Sequence, residues 1–162
     1  GGSLIADNAV LTSARCAGDK HVRVGVKVKV GAHDVGGFTG ETAYIEKVVY
    51  QTKKKGEGIA VLILDRSIEG VRPVCMADPT LAITSGDTLH IMGWGETESG
   101  GEFSDVLREA GVEYLPNENC RNEENRGFVD VDKYLCTNST KGTGLCWGDL
   151  GGPLIAKGGD AD

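Results

Sequence analysis

The stretch CWGDLGGPL, Cys146 to Leu154, has the make-up of a tight turn that presents one side chain, with glycines, an aspartate and a proline around its centre. That centre is Leu150, an aliphatic group with no lone pair to attack with and no proton to pass. Histidine is the other residue such chemistry needs, and there are three: His21, His33 and His90. Each falls in a strand or turn context and reads as structural or solvent-exposed. The five cysteines, Cys16, Cys75, Cys120, Cys136 and Cys146, are odd in number, so at least one has no partner inside the chain. No two of them stand at Cys-x-x-Cys spacing and no histidine lies at finger spacing, so no metal site is expected. No cofactor is expected either.

Charge narrows the partners. A formal net charge of −7 argues against nucleic acid or another polyanion, and the local run Lys53-Lys54-Lys55 reads as a solvated loop. No apolar stretch reaches the roughly 18 residues of a membrane helix, so no membrane partner is expected. The chain opens on Gly1-Gly2-Ser3 without a signal peptide, the mark of something other than a primary translation product. Asn138-Ser139-Thr140 is an N-glycosylation sequon and, with the cysteines, leans towards an oxidising, secreted and extracellular setting.

The elements that must position the turn are strands. In VRVGVKVKV the valines 22, 24, 26, 28 and 30 share one face and Arg23, Lys27 and Lys29 the other, the period of a half-buried strand. AYIEKVVY and IAVLILD are further strands, and the second, apolar on both faces, is expected at the centre of its sheet. TLHIMGWG and GVEYLP follow. The 25 glycines fall mainly between these runs, where turns need positive φ. Only 117–125, NENCRNEEN, offers a short surface helix, capped by Asn117. Many short strands at regular spacing predict an all-β antiparallel sandwich or barrel of one domain.

Four ordered segments carry a resemblance. GGSLIADNAVLTSARC, GIAVLILDRSI, IMGWGETESGGEFSDVLREAGVEYLPNENC and CWGDLGGPLIA resemble, in that order, four conserved stretches of the trypsin/chymotrypsin serine proteases. The resemblance covers nearly the whole chain. It implies two perpendicular six-stranded antiparallel β-barrels with the active site in the cleft between them. The implied boundaries are 1–80 for the first barrel, lacking its first strand, and 81–162 for the second, lacking its last strands and C-terminal helix.

The family's chemistry needs a serine nucleophile, a histidine base and an aspartate that orients the base. Carried over residue by residue, the histidine position is Arg15, the aspartate position Gly58 and the serine position Leu150. A guanidinium stays protonated, a glycine has no side chain and a leucine cannot attack an amide. Neighbours do not rescue the site: Glu57 is one residue out of register in a strand, and Ser13 has no evident base. The turn itself, Gly148, Asp149 and Leu150, with Gly151, Gly152 and Pro153, keeps the family's backbone donors for an oxyanion. Leu150 is expected to be a dry apolar plug.

At the positions that shape specificity in the family stand Gly144, where trypsin-like enzymes have an aspartate, and Trp147. Trp147 is either a plug or core residue or an anchor for a protein partner. The resemblance implies a Cys120–Cys136 disulfide, and partners outside this chain for Cys16 and Cys146. For Cys75 it implies a pro-segment or a later cysteine. Another family bridge joins the positions of Leu89 and Ala156, and here both halves are absent together. The family's terminal ammonium partner for Asp149 is absent as well, which would leave that acid unpaired. Calcium is not expected: its first ligand position is Ala32, although Asp34 and Glu41 lie nearby.

The resulting expectation is a secreted, non-catalytic serine protease homologue that binds an extracellular protein as inhibitor, decoy or cofactor. From Pro153 to Asp162 the chain is also similar, over a short span, to glucanase inhibitor proteins, which break the triad with other residues. The competing readings are an active trypsin-like endopeptidase and a fragment without function.

Overall fold

In the computed structural model the described residues are 1–37, 40–52, 56–78, 80–122, 127–128, 134–138 and 143–157. The run 53–55, the Ser139 and Thr140 of the sequon, and 158–162 lie outside them. The chain divides into two compact units. One comprises Gly1–Met76, Met92–Arg108 and Leu145–Pro153, the other Ala77–Ile91, Glu109–Gly144 and Leu154–Asp162.

In the first unit, strands β1 (Ser3–Ala6), β2 (Ala9–Ser13), β3 (Lys27–Val30), β4 (Glu41–Tyr50) and β5 (Ile59–Leu64) form one antiparallel sheet in the order β1-β2-β5-β4-β3. The doubly apolar strand β5 is its centre, as its sequence predicts. Ala60, Leu62 and Leu64 point into a core shared with Leu4, Val10, Val30, Ala43, Ile45 and Ile68. Val61 and Ile63, on the other face, are half-buried. Each buried branched side chain contributes about 1.5–3 kcal/mol relative to exposure.

The valine run is only partly a strand. Val22, Val26 and Val28 pack against the core and Val30 is buried within it, but Val24 is exposed and ladder pairing begins at Lys27. Two turns replace the first half, with the Val22 amide donating to the Asp19 carbonyl and the Val26 amide to Arg23. Gly25, at φ +84°, is the pivot that ends the alternation.

The other sheet runs β10-β7-β6-β11, from β6 (Thr88–Gly93), β7 (Arg108–Leu115), β10 (Cys136–Asn138) and β11 (Leu154–Ala156). The short pair β8 (Arg121–Asn122) and β9 (Gly127–Phe128) stands apart. Leu89 and Ile91 of β6 and Val112 of β7 are the buried centre of the four-stranded sheet.

Over 117–122, the described part of the helix expected at 117–125, no α-helix is formed. A single 3-10 turn, Asn117–Asn119, is followed by strand pairing at Arg121. The disulfide explains this. Cys136 sits opposite Leu115 in the ladder and its Cα lies 6.0 Å from that of Cys120. The chain must therefore double back within five residues of Leu115, and an α-helix rising about 1.5 Å per residue would carry Cys120 away.

Candidate functional site

Arg15, Gly58 and Leu150, the positions to which the resemblance carries the triad, all lie in the first unit. Arg15 sits in the one-turn helix α1 (Ala14–Ala17), whose cap is Ser13: its Oγ accepts from the Cys16 amide at 3.0 Å. The Ser13 hydroxyl is thus committed to the helix start. Arg15 is exposed. The amide of Ala14, just before it, donates to the Gly58 carbonyl at 2.9 Å. Gly151, next to Leu150, runs so close to the Ser13 amide that an added Cβ would stand 3.3 Å from it.

Gly58 is more than an aspartate trimmed to nothing. Its φ is +80°, a conformation L side chains rarely adopt. The space a Cβ would take is filled by Gln51 Oε1, 2.6 Å from the ideal position. Gln51 uses that oxygen to accept from the Ile59 amide at 3.3 Å. An amide side chain and a left-handed backbone thus occupy the position to which the resemblance carries the orienting acid. Gln51 carries no motif, and in the sequence only Gly58 hints at the arrangement.

The turn is fully formed. Gly148 and Gly151 have φ +97° and +84°. A Cβ on Gly148 would stand 2.6 Å from Phe103 Cε1 and 3.0 Å from Gly95 Cα, so only glycine fits. The Asp149 amide donates to the Cys146 carbonyl at 3.2 Å and the Gly152 amide to Asp149 at 2.9 Å, closing two successive turns. Of the three expected oxyanion donors, the Asp149 amide is therefore used inside the loop.

Asp149 itself is not unpaired, contrary to expectation. Its Oδ1 accepts from the Gly95 amide at 2.7 Å and its Oδ2 from the Cys146 amide at 3.0 Å. Both oxygens hold charge-assisted bonds. Gly93 and Gly95, without side chains, are what let the carboxylate come so close.

Leu150 is 48% exposed and Trp147 75% exposed. Leu150 is thus not a dry plug, and Trp147 is not a core residue. The turn presents its leucine to solvent. A cavity of about 100 Å³ beside the turn is lined by Met92, Gly93, Trp94, Leu107, Asp149 and Pro153, among others. That is well under the roughly 300–1,000 Å³ of a small-molecule site.

The remaining positions sit as follows. Gly144 is an exposed loop residue. Cys120 and Cys136 form the expected disulfide, while Cys16, Cys75 and Cys146 are free thiols. Asn138 ends β10 opposite Glu113 and is exposed. His21 is exposed, His33 gives its carbonyl to Trp94 Nε1 and the Leu107 amide, and His90 Nδ1 lies 2.6 Å from Glu109 Oε1. Asp34 caps the amides of Gly36 and Gly37, and Glu41 those of Glu69 and Gly70, so both acids have structural work. Among the described residues no cluster of side chains suits a metal ion, and no helix is long and apolar enough to cross a membrane.

The family described as Trypsin matches residues 1–161. Among curated relatives, the serine proteinase stubble of Drosophila melanogaster is 30% identical over 172 residues, covering 97% of this chain and 22% of its own length. Phenoloxidase-activating factor 1 of Holotrichia diomphalia is 29% identical over 183 residues, covering 97% of this chain and 50% of its own length. This chain thus spans half or less of those relatives. Among solved structures, human heparin binding protein superposes with a TM-score of 0.77 at 26% identity, over 97% of this chain and 69% of that one.

Proposed function

The chain belongs to the trypsin family, and within it we propose a secreted, non-catalytic homologue that acts by binding another protein as inhibitor, decoy or cofactor. The observation that carries this reading is Gly58. A lost side chain could be answered by a neighbour, but here the backbone has turned to φ +80° and Gln51 Oε1 stands where the acid's Cβ would be. A side chain placed at 58 would meet both a left-handed backbone and Gln51 Oε1. Arg15 and Leu150 supply neither base nor nucleophile. In the family's mechanism, loss of a single triad member already removes several orders of magnitude in rate.

What supports binding is the retained presentation turn with an exposed leucine and tryptophan at its tip. The test is incubation of the protein with a fluorophosphonate probe and with a panel of fluorogenic peptides. The expected result is no covalent labelling and no turnover above the buffer blank. Labelling that the Leu150→Ser variant does not exceed, together with probe-sensitive turnover, would sink the reading.

A further inference from the structure

The partner's chemistry can be read from the surface beside the turn. Residues 96–103 form a hairpin: Glu96 bridges Phe103, the Thr97 amide donates to the Glu102 carbonyl, and the Gly101 amide donates to Glu98. The hairpin is fixed to the turn, because the Glu96 amide donates to the Trp147 carbonyl at 2.8 Å and the Phe103 ring lies over Gly148. Three bulky apolar side chains on these two segments face solvent: Phe103 at 64%, Leu145 at 65% and Trp147 at 75%. Isolated exposed apolar residues need no explanation, but large ones on two segments bonded to each other mark a contact surface.

Charge says what covers it. The segment 95–107 carries Glu96, Glu98, Glu102 and Asp105 and no Lys, Arg or His. Glu96 Oε2 accepts from the Gly100 amide, while among the described residues no ion pair engages Glu98 or Glu102. An apolar patch with an uncompensated acidic edge complements a segment in which Lys or Arg alternates with bulky apolar residues. The geometry points to a docking surface, formed by the 96–103 hairpin and the 145–147 tip, for such a basic, apolar segment of a protein partner. This inference rests on the binding reading above and adds the partner's chemistry to it.

The experiment uses the intact protein and three short synthetic peptides: one alternating Lys or Arg with Leu or Phe, its counterpart with Glu at every basic position, and an all-Lys peptide. Binding is measured by calorimetry and by the shift of tryptophan emission, and each peptide is recovered and weighed by mass spectrometry. The alternating peptide is expected to bind and remain intact. Its affinity should fall at least tenfold in Trp147→Ser and in the double variant Glu98→Gln/Glu102→Gln, and should weaken with added salt. The double variant alters only exposed side chains, so it carries the test even if Trp147→Ser does not fold. Equal binding of the acidic counterpart, or affinity unchanged in the double variant, would overturn the inference. So would failure to bind at millimolar peptide. Cleavage of the peptide would instead strike the non-catalytic reading itself; an intact but unbound peptide strikes this inference alone.

Discussion

Leu89 and Ala156 stand directly opposite one another in the β6–β11 ladder, Leu89 buried and Ala156 packed against it. The resemblance implies a family disulfide at these two positions. The register that a bridge requires is present, with a large and a small apolar residue in the paired positions. Directly paired antiparallel residues have Cα atoms about 4.5–5.5 Å apart, inside the range a disulfide spans. The double variant Leu89→Cys/Ala156→Cys is therefore expected to oxidise spontaneously. Thiol counting of the unfolded, unreduced variant should find no more free thiols than in the parent, because the two added cysteines are bonded to each other. The closed loop is long, so the gain could reach about 4 kcal/mol before the lost leucine packing is subtracted. Thermal melts with and without reductant read the difference.

Gly58 and Gln51 form a second interlock, open to a double-mutant cycle. Gly58→Ala forces a Cβ into a left-handed residue, at about 1–2 kcal/mol, and pushes on Gln51 Oε1 as well. Gln51→Ala removes the collision but not the backbone strain. The cost of Gly58→Ala should therefore be smaller in the Gln51→Ala background, though still positive, as denaturant midpoints will show. For the same reason the triple variant Arg15→His/Gly58→Asp/Leu150→Ser is expected to fold less stably and to hydrolyse no peptide substrate.

Legibility in the sequence followed the range of the forces involved. The apolar run of β5 implies the centre of a sheet because burial on both faces is a property of each residue, and the Cys120–Cys136 bridge follows from a family pattern. Val24 defeats the same reasoning. Alternation specifies which face a residue would take if the strand continued, and Gly25 stops it from continuing. The identities of Arg15, Gly58 and Leu150 are plain in the sequence, but not the left-handed backbone of Gly58 or the approach of Gln51 Oε1 to it. Likewise Asp149 reads as an acid without a partner because its donors are backbone amides, which leave no trace in residue identity.

Asp149 offers the test of whether the turn depends on that carboxylate. An asparagine is nearly the same shape but can turn only one oxygen towards two amide donors. Its NH2 must then face either the Gly95 or the Cys146 N–H. Asp149→Asn should cost about 1–3 kcal/mol, the range for leaving a partly buried donor unmatched. Because the Glu96 amide holds the Trp147 carbonyl within the same group of contacts, the variant should also weaken the hairpin's attachment. Amide exchange at Glu96 and Cys146 should quicken, while exchange in the β5 core should change only by the global loss.

Acid should loosen the first unit at Glu41 before its core is touched. The Gly70 amide, then the Arg66 side chain, hold this carboxyl below its ordinary 4.5, against a smaller opposing effect of desolvation. Its ionised form is thus the one the fold favours. The Arg66 guanidinium reaches it at 2.8 Å and the Glu69 amide at 3.0 Å. For a group whose folded value is depressed, the stabilisation is complete above the unfolded value and is lost as pH falls below 4.5 and through the folded value. Glu41→Gln keeps an acceptor but removes the charge, so its stability should fall less between pH 4.5 and pH 2 than that of the parent. Urea midpoints across that interval check the sign: a parent curve no steeper than the variant's would show that Glu41 contributes nothing to the acid limb.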